Sequence, residues 1–121
     1  MNKRQVGDYY EKLACEYLRK SGVHIIEKDY KALRGDIDII ARDGIYLCFI
    51  EVKYRKDNKF GPPEGAVTIS KQRQICKLSK LYLYSKVKSI DVPIRYDVIA
   101  ITDDENVPVI KWHKNAFNFV G

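Results

Sequence analysis

The sequence RGDIDIIARDGIYLCFIEVKYR, residues 34–55, decides the fold, because it predicts a β-hairpin with charged side chains at its open end. Two runs rich in Ile, Val, Phe and Tyr flank Asp43-Gly44, and an Asp-Gly pair in that setting is a strong signal of a two-residue type I′ turn. Such a turn pairs Asp38 with Phe49 across the hairpin. Because side chains alternate along each strand, four charged residues are predicted to share one face: Asp36, Asp38, Glu51 and Lys53.

The second strand of this hairpin is apolar on both faces, which is typical of a central strand covered above and below. Carboxylates gathered at its end repel one another and lose solvation, and a divalent cation would relieve both effects. Mg²⁺ prefers oxygen ligands, so Asp38 and Glu51 are candidates to hold Mg²⁺ (or Mn²⁺) between them. Lys53 is then placed to orient or deprotonate a water, or to neutralise charge that develops on a phosphorus centre.

A motif of Asp38, twelve intervening residues and Glu51-Val52-Lys53 resembles the PD-(D/E)XK nuclease superfamily. The whole chain resembles more closely the YraN-like family of small bacterial proteins. This second resemblance extends from Gly7 to about Ile101. It rests on the following blocks, which occur in the family's order: Gly7 and Glu11, Arg34 to Ile40, Phe49 to Arg55, Phe60-Gly61, Lys71-Gln72 and Tyr96-Asp97-Val98.

The resemblance implies a restriction-endonuclease-like α/β fold, a three-layer core with a mixed β-sheet flanked by helices, related to archaeal Holliday junction resolvases. It also implies metal-dependent hydrolysis of phosphodiester bonds in DNA, with branched, recombination or repair intermediates as candidate substrates. Asp38, Glu51 and Lys53 are the implied catalytic residues. A glutamate of the first helix approaches the metal cluster in related nucleases, which adds Glu11 to the metal ligands Asp38 and Glu51. Relatives commonly carry Glu where this chain has Asp36, a shorter side chain.

Composition is compatible with a nucleic-acid partner. A chain of 121 residues predicts a single domain, residues 1–121, and its 22 Lys and Arg against 16 Asp and Glu give a net charge of +6. That charge favours a polyanionic partner, although many small proteins are equally basic without binding one. Candidate nucleic-acid contacts are charged or polar residues near the hairpin, the following loop and the second helix: Arg34, Arg55, Lys56, Lys59, Lys71, Gln72 and Arg73. Each could equally be a solvated surface residue.

The cysteine spacing and the hydropathy of the sequence argue against disulfide-rich, zinc-binding and membrane-spanning classes of protein. Cys15, Cys48 and Cys76 are widely spaced without a CxxC pair, so they predict neither a disulfide framework nor a zinc site. The first residues lack the apolar segment of a signal peptide, and no apolar run is long enough to span a membrane. We therefore expect a cytoplasmic protein without a membrane partner.

The remaining elements follow from periodicity and turn residues. A helix is predicted from Lys3 to Lys20, a weakly alternating edge or second-layer strand from Val23 to Tyr30, and a loop from Lys56 to Gly65. Thr68 or Ser70 is expected to cap a second helix ending near Ser85. The last two predicted strands are Ile94 to Ile101, parallel to the hairpin, and Val107 to Lys114, at an edge. Asp97 is expected to be a structural partner of Arg95 or of another basic residue.

Three interpretations remain open from the sequence. The first is a Mg²⁺-dependent nuclease, and the second is a catalytically inactive module of nuclease fold that binds DNA or RNA within a larger assembly. A third, a structural protein whose charged strand end is simply hydrated, is favoured only if the predicted hairpin register is wrong, for example if a three-residue turn sends Asp38 to the face opposite Glu51. A homodimer is compatible with the resolvase resemblance, although the residues show no self-complementary interface.

Overall fold

A computed structural model describes residues 1–56, 67–89 and 91–119. The elements in chain order are α1 (Lys3–Lys20), β1 (His24–Ala32), β2 (Gly35–Asp43), β3 (Tyr46–Arg55), α2 (Ile69–Tyr82), β4 (Ile94–Asp104) and β5 (Val107–Phe117). A π-helical turn, Leu83–Val87, continues α2. Most of the predicted loop between β3 and α2, including Lys59, lies outside the described residues.

The five strands form one mixed sheet in the order β1-β2-β3-β4-β5. Strands β3 and β4 are parallel, whereas the other neighbouring strands are antiparallel. The parallel pair is a consequence of the strand, helix, strand order, since α2 provides the crossover connection between β3 and β4. The predicted α/β fold with a mixed sheet is confirmed, and it is consistent with a restriction-endonuclease-like core. The predicted edge positions of β1 and β5 are also confirmed.

Each face of the sheet carries one helix and one apolar core. On one face, Tyr10, Ala14 and Leu18 of α1 pack against side chains of β2, β3 and β4. On the other face, Ile75, Leu78 and Tyr82 of α2 pack against Phe49 and other residues of the same strands. The central strand β3 is therefore apolar on both sides because both sides are covered.

Capping residues account for the helix boundaries. The side chain of Asn2 accepts a hydrogen bond from Gln5 N, and the Gln5 side chain accepts one from Asn2 N, so α1 begins with a reciprocal capping box. Gly22, with φ of +84°, follows the end of α1 in a conformation that glycine adopts without steric cost. The Thr68 hydroxyl accepts from Lys71 N and caps α2, one of the two predicted alternatives.

The register of the β2–β3 hairpin differs from the predicted one. Asp43 pairs with Tyr46, so the two loop residues are Gly44 and Ile45 rather than Asp43 and Gly44. Gly44 has φ of +61° and Ile45 does not have a positive φ, which excludes the predicted type I′ turn. The pairing is displaced by two residues, so the predicted pairing of Asp38 with Phe49 is wrong: Ile40 is the partner of Phe49.

A buried ionic network joins β4 and β5. Asp97, fully buried, accepts hydrogen bonds from the Arg95 guanidinium at 2.9 Å, from Trp112 Nε1 at 3.0 Å and from the Asn115 main chain at 2.9 Å. This geometry confirms the predicted structural partnership of Asp97 with Arg95. Several donors satisfy the carboxylate, as a buried charge requires.

The remaining predictions about composition concern cysteines and membrane spans. All three cysteines are buried, and no disulfide joins them. Neither described helix has a stretch apolar and long enough to cross a lipid bilayer.

Candidate active site

The candidate site lies where β2 and β3 separate. The strand ladder extends from the turn to the pair Ile39 and Ile50. Beyond it, the main-chain N–H of Val52 donates to Oδ2 of Asp38 at 2.8 Å. Asp38 Oδ2 therefore accepts the hydrogen bond that a main-chain carbonyl of β2 would accept in a continuous ladder. We call the point where the two strands separate the β2–β3 fork.

Side-chain alternation is interrupted at the same point. Ile37 and Ile40 both belong to the core under α2, whereas Ile39 belongs to the core under α1. Asp38 lines a cavity of about 220 Å³ on the α1 side, and Glu51 lies on the α2 side with Phe49. Asp38 and Glu51 are nevertheless neighbours, as predicted, because a side-chain hydrogen bond joins their carboxyl groups at the end of the ladder.

Three carboxylates meet on the α1 side of the fork. Glu11 of α1, Asp29 of β1 and Asp38 of β2 each offer an oxygen atom, and these atoms lie within 4.8 Å of one another. The structure thus brings Glu11 to Asp38, as the resemblance implies. The three side chains come from three different elements, so tertiary packing of α1 on the sheet creates the cluster.

Asp29 is a site residue that the sequence analysis did not identify. Its φ of +51° lies in the left-handed region, next to the register shift between Ile25 and Glu27. The signal that could have revealed it is Glu27-Lys28-Asp29, since three consecutive charged residues do not fit a strand with one buried face.

Burial and mutual repulsion perturb these carboxylates. Desolvation and the neighbouring Asp29 raise the pKa of Glu11 to about 7. Desolvation and the neighbouring Glu51 hold the pKa of Asp38 well above its ordinary value, although the Val52 N–H opposes the shift. Burial is the larger cause of both shifts and the neighbouring carboxylates the smaller one, and a bound cation would offset both effects.

Glu51 is the buried carboxylate of the α2 side. Its exposed fraction is 3%, and its Oε2 lies 3.8 Å from the Nζ of both Lys53 and Lys71. The predicted trio of Asp38, Glu51 and Lys53 is thus assembled around the end of β3. Within this trio, Asp38 borders the cavity on the α1 side of the sheet, whereas Glu51 and Lys53 lie on the α2 side.

Lys71 reaches the site from the first turn of α2. Its Nζ lies 3.2 Å from Oδ1 of Asp36 and 2.9 Å from Oε1 of Gln74. Although burial opposes it, the charges of Glu51 and Asp36 raise the pKa of Lys71. Gly35, which precedes Asp36, allows a close approach by a side chain of α2. The close approach is that of Gln74, whose Cδ would lie 2.6 Å from a Cβ at residue 35.

The other predicted nucleic-acid contacts are not gathered at the carboxylates in the described part of the chain. Arg34, Lys56 and Arg73 are exposed, and Arg55 is half-buried. The Gln72 side chain donates to the carbonyl of Val67 at 3.2 Å. Lys59 lies outside the described residues. Phosphate binding by this group therefore stays a prediction.

The donor set fits a hard divalent cation. Glu11, Asp29, Asp38 and Glu51 offer carboxylate oxygens, which Mg²⁺ and Mn²⁺ prefer, and the cysteines are buried in the apolar cores rather than at the fork.

A family model described as "Uncharacterised protein family UPF0102" matches residues 10–101. The chain belongs to the UPF0102 family. This membership confirms the YraN-like resemblance predicted from the sequence. The matched part of this UPF0102 protein includes Glu11, Asp29, Asp38, Glu51 and Lys71, so the whole cluster described above lies within the domain that defines the family.

Curated UPF0102 relatives match the chain almost from end to end. A UPF0102 protein of Thermodesulfovibrio yellowstonii is 44% identical over 97% of this chain and 99% of its own length. One from Geobacter metallireducens is 40% identical over 97% of this chain and 95% of its own, and one from Vibrio campbellii is 36% identical over the same shares.

Proposed function

We propose that this UPF0102 protein is a Mg²⁺- or Mn²⁺-dependent endonuclease that hydrolyses phosphodiester bonds in DNA. The observation that carries the proposal is the convergence of Asp38, Glu51 and Lys53 at the β2–β3 fork, with the Lys53 ammonium 3.8 Å from Glu51. A binding module gains nothing evident from carboxylates placed beside phosphates, whereas a metal-dependent hydrolase requires them.

Each side chain has a separate task in this proposal. Asp38, oriented by the Val52 N–H, and Glu51, oriented by two lysines, would hold the cation, with Glu11 and Asp29 as further oxygen donors. When bound, the cation supplies Lewis acidity at the phosphate and lowers the pKa of a water ligand.

Lys53 supplies the positive charge on the open side of the site. Its side chain is 32% exposed, whereas Glu51 beside it is buried, so its ammonium can meet a phosphate while it remains fixed by that carboxylate. There it would neutralise charge that builds on the phosphoryl oxygens during attack. The net charge of +6 assists the approach of a polyanion.

The test compares cleavage of branched, single-stranded and linear duplex DNA with Mg²⁺, with Mn²⁺ and with a chelator. We expect metal-dependent cleavage by the wild-type protein. Glu51→Gln and Lys53→Ala should abolish cleavage while DNA binding is retained, and Lys77→Ala, a change of an exposed lysine on α2, should have no effect.

Two results would contradict the proposal. Cleavage that persists at the wild-type rate in both Glu51→Gln and Lys53→Ala would identify a contaminating nuclease. DNA binding without cleavage of any of the three substrates in either metal would favour the inactive binding module instead.

A further inference from the structure

Two lysines contact Glu51, and the structure holds them in different ways. Both Nζ atoms lie 3.8 Å from Oε2 of Glu51. Lys53 is a neighbour on the same strand. Lys71 arrives from α2 and also contacts Asp36 and Gln74, at 3.2 Å and 2.9 Å. Lys71 is therefore fixed on several sides, and Lys53 is not.

We propose that Lys71 is a positioning residue of the site: its ammonium is the resident counter-ion of the buried Glu51 carboxylate in the metal-free protein, and the divalent cation takes over that role when it binds. This inference rests on the proposed function, since it takes Glu51 as a metal ligand. Lys53 then remains available to contact the phosphate of the substrate. The two lysines therefore have different roles, since Lys71 neutralises Glu51 and Lys53 faces the substrate.

Burial explains why Glu51 needs a counter-ion. Its carboxylate is 3% exposed, and a buried carboxylate is costly in free energy unless a cation or several hydrogen bonds compensate for the lost water. Asp38 adds further negative charge beside it. The ammonium of Lys71 supplies the compensation in the metal-free protein, from a helix that packs on the same face of the sheet as Glu51.

Asp36 acquires a role from the same geometry. Its Oδ1 and its main-chain oxygen both accept from Lys71 Nζ, at 3.2 Å and 3.4 Å, so it tethers the lysine. Because residue 36 acts through Lys71, either Asp or Glu at this position can supply the carboxylate that accepts from the lysine. Gly35 permits the arrangement, since a Cβ at residue 35 would collide with the Gln74 side chain that holds Lys71 from the other side.

A counter-ion that a metal replaces has a measurable signature. The positive charge of Lys71 opposes a divalent cation at the same carboxylates, so its removal should raise the affinity for Mn²⁺ by about tenfold while it lowers the stability of the metal-free protein. A lysine that only supports the packing of α2 would lower the stability and leave the Mn²⁺ affinity unchanged.

The experiment uses the full chain without nucleic acid. Lys71→Met is compared with wild type and with Lys77→Met, an exposed lysine of the same helix. Calorimetric titration with Mn²⁺ measures affinity, and thermal unfolding with and without a chelator measures stability. We expect Lys71→Met to unfold earlier than Lys77→Met in chelator, to bind Mn²⁺ about tenfold more tightly than wild type, and to recover its stability when Mn²⁺ is added.

Asp36→Asn provides a milder variant that keeps Lys71 in place, should Lys71→Met fail to fold. It should lower the stability in chelator by less than Lys71→Met does, and it should weaken Mn²⁺ binding, because it removes a negative charge near the site. An unchanged or lowered Mn²⁺ affinity in Lys71→Met, or a stability equal to that of Lys77→Met, would overturn the inference. For the milder variant, wild-type values of both quantities would do so.

A double-mutant cycle separates this inference from the proposed function. In chelator, Glu51→Gln should suppress most of the destabilisation caused by Lys71→Met, because the lysine then has no buried charge to neutralise. A wild-type protein that binds no Mn²⁺ would refute the metal site, and additive effects in the cycle would refute the pairing of Lys71 with Glu51. With active protein, Lys71→Met should reach half-maximal cleavage at a lower Mn²⁺ concentration than wild type, whereas Lys53→Met should not cleave at any Mn²⁺ concentration.

Discussion

The main-chain N–H of Val52 donates to the carboxylate of Asp38 at 2.8 Å, so one side chain both closes the strand fork and faces the acidic cluster. These two tasks have different chemical requirements. The hydrogen bond needs an acceptor oxygen, whereas a cation needs a negative charge. Substitutions that keep one property and remove the other can therefore separate structure from function at this residue.

Asp38→Asn should preserve the fold and abolish metal-dependent activity. The amide oxygen can still accept from Val52, and the change removes a carboxylate whose pKa is held well above its ordinary value by burial and by Glu51. We expect stability equal to or above that of wild type at neutral pH. Asp38→Ala leaves the Val52 N–H without its acceptor and should lose about 1–3 kcal/mol in urea unfolding. Equal stability of the two variants would contradict this account of the fork.

The carboxylates of Glu11 and Asp29 should both contribute to the affinity for a divalent cation. Each has an oxygen within 4.8 Å of the other and of an oxygen of Asp38. Glu11→Gln and Asp29→Asn should each weaken Mn²⁺ binding by about tenfold in calorimetric titration, because each removes one charged oxygen donor. Glu16→Gln, a change at an exposed carboxylate of α1 outside the acidic cavity, is the control. If it weakens binding as much as the other two do, the effect is one of general charge rather than of ligands.

In the β2–β3 hairpin, the local sequence predicted the two strands and the tight turn correctly but predicted the wrong pairing of residues between the strands. The Asp-Gly signal correctly predicted a tight turn between two strands, but Asp43 remains in β2 instead of entering the loop. Its Oδ2 accepts from Arg95 at 2.9 Å and lies 3.6 Å from Lys114. Both partners are more than fifty residues away in the sequence, so no local pattern could have revealed that Asp43 is needed in the strand.

From the sequence alone, only those residues of the candidate site that lie close together in the chain could be placed together. Glu51 and Lys53 lie two residues apart on one strand, and period-two alternation places them together. Asp29 depends on a left-handed residue in β1, and the role of Lys71 depends on how α2 packs against the sheet. Both are tertiary effects without a periodic signal. The observed pairing of β2 with β3 differs from the predicted one by two residues. Because side chains alternate with a period of two, this difference does not change which residues of β3 share a face.

The Asp43 and Arg95 pair should make stability depend on pH in the acid range. The hydrogen bond from Arg95 holds the pKa of Asp43 below its ordinary value, so the folded state favours the ionised carboxylate. Its stabilising effect is present above the unfolded-state pKa of about 3.9, and it is lost as pH falls through the lower folded-state value. Asp43→Asn should lose up to about 1 kcal/mol at pH near 7, since the pair is partly exposed to solvent.

The same comparison at low pH provides the control for that prediction. The stabilities of wild type and Asp43→Asn in urea unfolding should converge as the pH falls below the lowered folded-state pKa of Asp43, because the wild-type carboxylate is then neutral too. Asp91→Asn, at an exposed carboxylate, should match wild type throughout. A difference between Asp43→Asn and wild type that is as large at the lowest pH as at neutral pH would show that charge is not the cause.

Asp97 should be essential to folding and dispensable for metal binding. It is fully buried and satisfied by Arg95, Trp112 and the main chain of Asn115. Loss of its charge removes the buried partner of the Arg95 guanidinium, whose other carboxylate partner, Asp43, is partly exposed, so Asp97→Asn should lose about 3–5 kcal/mol in urea unfolding. The folded fraction, measured at low temperature, should bind Mn²⁺ with wild-type affinity. A variant of unchanged stability that binds Mn²⁺ more weakly would contradict the structural role of Asp97.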